Sequence, residues 1–92
     1  MKKLDLRIDV QVDKKTGSVS AVYFQIRRGH AAHVREFAEG NAFANYDLSG
    51  RLLGIELLGP CEITVLTQLA RKEGQPVKNF LQKSIPREMA LV

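Results

Sequence analysis

Few side chains in this sequence have the type and spacing that chemistry requires. His30 and His33 are the two histidines, and Cys61 is the one cysteine. A metal site would need further ligands. Glu36 is near, but on a strand an offset of three residues puts His33 and Glu36 on opposite faces. The histidines therefore read as surface groups at a strand edge. Cys61 with a histidine could form a nucleophile and base. No glycine-rich elbow, oxyanion loop or orienting acid accompanies it, and Cys61 reads as a small buried hydrophobe. Asp5 and Asp9 flank Arg7 and could be a carboxylate pair for acid–base work. Their alternation with leucine, isoleucine and valine instead puts them on the wet face of a strand, where charge discourages edge aggregation. Arg27 and Arg28 precede Gly29, with Arg35 nearby. They could hold an anion or line a solvated turn. No phosphate loop, dinucleotide fingerprint or zinc-protease helix is present. No catalytic residue, metal ligand or cofactor is assigned, and the chain reads as non-enzymatic.

The bulk properties fit one small domain spanning 1–92. At 92 residues, 45% hydrophobic and 26% charged, the composition is that of a globular protein with a thin core. Oligomerisation is a common remedy for a thin core. The net charge of +4 permits an anionic partner. It is spread evenly: Lys and Arg outnumber Asp and Glu by 9 to 7 over 1–59 and by 5 to 3 over 60–92. The first ten residues are interrupted by Asp5, Arg7 and Asp9, so they are not a signal peptide. No run is long and apolar enough for a membrane helix. These features point to a cytoplasmic protein.

Patterning supplies the elements. LDLRIDVQV alternates strictly, with Leu4, Leu6, Ile8, Val10 and Val12 on one face. Gly17, Gly29, Gly40 and Gly50 then punctuate the chain at intervals of 12, 11 and 10 residues. Short strands at this spacing suggest an antiparallel meander. Five strands are expected, near 4–12, 19–27, 32–38, 42–47 and 51–58, in a β-meander over 1–58. Gly59-Pro60 breaks the pattern. Pro60 suits a helix N-terminus. Ile63, Leu66, Leu69 and Ala70 form an apolar stripe at helical spacing. Gly74 is expected to end that helix and Pro76 to open a second, with Val77, Phe80, Leu81 and Ile85 on one face and Pro86 as its stop. The helical tail spans 60–86, and 87–92 is left with apolar residues and nothing local to pack on. The fold class is α+β: an antiparallel meander followed by two short helices.

LARKEGQPVKNFLQKSI, after the strand GIELL, resembles in outline the ribbon-helix-helix DNA-binding modules of bacterial antitoxins. The candidate nucleic-acid contacts are Arg71, Lys72, Lys78 and Lys83. A groove-reading ribbon needs polar or basic side chains outward, whereas this strand would present Gly54, Glu56 and Leu58.

YDLSGRLLGIELL, from Tyr46 to Leu58, resembles a small uncharacterised bacterial family of the YuzE type. Its pattern is Tyr-Asp, a short turn, then Gly-Arg-Leu-Val-Gly-Ile-Glu. Here the matching positions are Tyr46, Asp47, Gly50, Arg51, Leu52, Gly54, Ile55 and Glu56, with Leu53 in place of valine. VYFQIRRGHAAHVREF is also similar, and the resemblance covers about residues 19–58. It implies a small self-associating meander domain and no catalytic site. The residues themselves explain much of the motif. Asp47 caps the turn, Gly50 supplies a left-handed residue, and Gly54 allows close approach. Leu53, Ile55 and Leu57 face the core. Glu56 is left wet or paired across strands with Arg51 or Arg35.

Two functions are therefore expected. The first is a homodimeric protein-interaction domain, associating through the last strand, the helices or the Met89–Val92 tail. The alternative is a nucleic-acid-binding, antitoxin-like regulator.

Overall fold

The computed structural model describes residues 3–91. Five strands form one antiparallel sheet: β1 (Arg7–Val12), β2 (Val19–Gln25), β3 (His33–Phe37), β4 (Ala42–Tyr46) and β5 (Leu52–Leu57). A two-residue strand β6 (Cys61–Glu62) leads into α1 (Ile63–Leu69), which is followed by α2 (Gln75–Ser84) and a last short strand, β7 (Ala90–Leu91). The architecture is α+β, as the pattern implied. The strand order is β1-β2-β5-β4-β3. β1–β2 and β3–β4–β5 pair in succession, and β5 inserts beside β2. Burial of apolar strands accounts for this order. VYFQI and LLGIEL are the most apolar strands, and the centre of the sheet buries both.

Val22, Phe24, Ile26, Ala42, Ala44, Ile55 and Leu57 form the buried sheet face. Leu66 and Ala70 from the α1 end, and Val77 and Leu81 from α2, pack onto it. Phe24 and Phe80 meet edge to face at 6.0 Å, joining sheet to α2. Arg27 and Glu73 make a second tie. The Arg27 guanidinium donates to Glu73 at 2.6 and 3.3 Å and to the Leu52 carbonyl at 2.8 Å. The two side chains are only 14% and 13% exposed.

Several local expectations change. Pro60 precedes β6 and not a helix, and α1 begins at Ile63. Gly74 does not close α1; with φ −73° it sits at the N-cap of α2, and Ala70 caps α1. The 87–92 tail is not loose over its described part. Met89 is buried in the core, and Ala90–Leu91 pairs in parallel with Cys61–Glu62. Val92 lies outside the described residues. In β5 the alternation is reset by a bulge: Asn45 faces Gly54, Tyr46 faces Leu52, and Leu53 is the extra residue. Leu52 therefore joins the core cluster in place of Leu53.

Candidate functional site

The residues singled out for chemistry do not converge. His30 and His33 are exposed, and among the described residues no three His, Cys, Asp or Glu gather as metal ligands. Cys61 is buried, and its thiol pKa is pushed up by burial and by the neighbouring Glu62 carboxylate, which disfavours the nucleophilic thiolate. Asp5 does not pair with Asp9. It accepts from Arg7 at 3.1 Å and from Arg28 at 2.6 Å, and these bonds, Arg7 first, lower its pKa. Arg27 and Arg28 are thus engaged with Glu73 and Asp5, which removes them as an anion site.

The YuzE-like motif builds a turn. Asp47 is buried, and its Oδ1 accepts from the Ser49 amide, the Ser49 hydroxyl and the Arg51 amide at 2.9, 2.7 and 2.9 Å. Gly50 takes φ +88°, which favours glycine. Gly54 lies beneath the Tyr23 ring, whose hydroxyl occupies the place a Cβ would need. Glu56 sits half-buried on the helix-free face between its cross-strand neighbours Tyr23 and Phe43. The ion pairs among the described residues do not engage it, and Arg35 is on the opposite face, opposite Ala44.

Two other regions stand out, both on the helix-bearing face, where the sheet extends past the helices. The first is the β1 rim. Ile8 pairs with Phe24 and Val10 with Val22, so both point to the core side. The helices do not reach them: Ile8, Val10 and Val12 are 39, 40 and 52% exposed. The backbone of β1 is free on its outer edge. The Ile26 amide donates to Leu53 in β5 and the Asp5 amide to Ile26. Alternation then turns the amides of Arg7, Asp9 and Gln11 toward β2, and those of Ile8, Val10 and Val12 outward.

The second is a groove of about 840 Å³ between the β3 end of the sheet and α1. Phe37, Tyr46, Leu52, Val65 and Leu69 line it along with His33, Arg35, Arg51, Arg71, Lys72 and Glu73. Arg71 and Lys72 were legible as candidates. Lys78 and Lys83 lie elsewhere on α2. Arg35 and Arg51 join the groove through the successive pairing of β3, β4 and β5, although neither was singled out for it. β5 has partners on both sides, so it is not a free ribbon for groove reading in DNA.

These features define a two-layer α+β domain. Comparison with family models, curated proteins and solved structures finds no match to the chain.

Proposed function

We propose that this chain is a cytoplasmic, non-enzymatic interaction domain that works as a homodimer, joined through β1. The observation that carries this reading is the uncovered β1 rim, which combines three exposed apolar side chains with an unpaired backbone edge. Among the described residues, β5 is central, Leu66, Val77 and Leu81 of the helices face the core and Met89 is buried, which favours the β1 edge over these surfaces. Surface area supports the same reading. The chain exposes 6189 Å², about 800 Å² more than a compact monomer of its mass, roughly one subunit's share of a standard interface.

Pairing chemistry selects a register. Two β1 strands related by a twofold axis pair antiparallel, like parity with like. Centred on Asp9, they oppose two carboxylates. Centred on Val10, they set Ile8 against the partner's Val12 and Asp9 against the partner's Gln11, with Arg7 reaching the partner's Asp13. The outward amide of Val10 then donates to the Val10 carbonyl of the second copy, and one sheet runs through both subunits. The YuzE-like motif fits this reading as the architecture that holds β5 beside β2, and membership of that family is part of the proposal.

Size-exclusion chromatography with light scattering tests it. A dimer is expected at micromolar concentration, and Val10→Lys, which sets two cations at the axis, should weaken it at least tenfold. A wild-type monomer would sink the proposal.

A further inference from the structure

The helix-bearing face ends at β3 in a groove lined by cations that the ion pairs among the described residues do not engage. Arg35, Arg51, Arg71 and Lys72 are all exposed and line it together. None of the ion pairs among the described residues uses them. The acid in the lining, Glu73, is held by Arg27. Cations from three separate segments of the sequence are brought together here.

Between the cations the groove is apolar and aromatic. Tyr46, Val65 and Leu69 are half-buried there, and the Arg35 guanidinium lies 5.4 Å from the centre of the Phe37 ring. A free inorganic anion or an acidic peptide would use the charges and leave this floor idle. A duplex would require an element that enters a groove of its own, but the seven-residue α1 is packed on the sheet. Clustered cations beside an aromatic surface in an open groove match a backbone of phosphates whose bases are free to stack.

We infer that this groove binds single-stranded nucleic acid, with Arg35, Arg51, Arg71 and Lys72 on the phosphates and Tyr46 against a base. The site is at the opposite edge of the sheet from β1, so it stands whether or not the chain dimerises. It also differs from recognition by the helix pair, because Lys78 and Lys83 take no part.

Fluorescence anisotropy with labelled oligo(U) and oligo(dT) of about eight nucleotides tests the assignment. Binding should weaken with salt, with a log–log slope near −2.8 for about four phosphates neutralised on a single strand, falling to about −1.4 in Arg51→Ala/Arg71→Ala. That double variant should lose at least tenfold in affinity at low salt. Lys14→Ala/Lys15→Ala removes the same charge from the β1–β2 turn and should stay within twofold of wild type. Circular dichroism checks that each variant is folded. Tyr46→Ala should weaken oligonucleotide binding and leave polyphosphate binding unchanged. The inference fails if no oligonucleotide binds at low salt, if the groove variant binds like wild type, or if polyglutamate competes as well as an oligonucleotide of equal charge.

Discussion

The two rims of the sheet's helix-bearing face have the same geometry and opposite chemistry. At each, the sheet extends past the helices. The β1 rim exposes Ile8, Val10 and Val12, whereas the β3 rim exposes His33 and Arg35 and is met by Arg51, Arg71 and Lys72. Two short helices cannot cover five strands, and what they leave uncovered sets what each edge can bind. An apolar rim with an open backbone suits another strand. A basic rim with an aromatic floor suits a flexible anion. The contrast teaches that partial coverage gives a small domain two surfaces without a second domain.

The largest test of this division is Glu73, which links α1–α2 to the sheet at the head of the basic groove. Glu73→Ala leaves the Arg27 guanidinium poorly exposed and without its carboxylate, which should cost about 3 kcal/mol. For a domain of this size that lowers the melting temperature by more than about 10 °C. If the rims are independent, the folded variant should still dimerise at temperatures well below its midpoint. A loss of dimer in parallel with the groove would show that the two rims are coupled.

Next is Asp47, whose carboxylate holds the turn that carries Arg51 into the groove. Asp47→Ala should destabilise by about 2 kcal/mol in urea unfolding, since the charge-assisted bonds that a buried carboxylate accepts are lost. It should also weaken any anion binding by loosening Arg51, and leave self-association through β1 unchanged.

Much of the architecture was legible in the sequence. All five strands follow from alternation and glycine spacing, because both are local consequences of the pleat and of turn geometry. Asp47 and Gly50 were readable for the same reason, as was the close approach at Gly54. What was not legible depends on pairing between distant segments. The register of β4 on β5 makes Leu53 a bulge, and the packing of α1 on the sheet brings Arg71 to the groove that Arg35 and Arg51 line. The apolar row of β1 was visible, but nothing local told that the helices would stop short of it. Gly74 misled because a glycine between two helices serves either the end of one or the start of the next, and only the backbone torsion distinguishes them.

A smaller effect tests the pairing phase of β1. Asp9→Pro removes an inward amide from the ladder with β2 and should cost about 1 kcal/mol beyond Val10→Pro, which removes an outward amide. Val10→Pro should leave the fold largely intact and abolish the dimer. The register is checked by Val10→Cys. Residues in a hydrogen-bonded pair have Cα atoms about 5.5 Å apart, within disulfide reach. Under mild oxidation Val10→Cys should cross-link to its own copy while Ile8→Cys does not. Buried Cys61 does not compete. The reverse result would move the axis to Ile8.

The smallest effect is electrostatic and belongs to the approach to the apolar rim. Asp5 accepts from Arg7 and Arg28, and its pKa lies below the ordinary 3.8. A carboxylate with a lowered folded value adds stability that is complete above the unfolded value and is lost as pH falls through the folded one. Asp5→Asn should therefore narrow its stability gap from wild type only below about pH 4, where the wild-type carboxylate also becomes protonated. Because its partners Arg7 and Arg28 are exposed, salt should shrink that gap, whereas dimerisation through Ile8, Val10 and Val12 should be nearly indifferent to salt. A dimer that dissociated steeply with salt would mean that Arg7 and Asp13, rather than the apolar row, hold the β1 edges together.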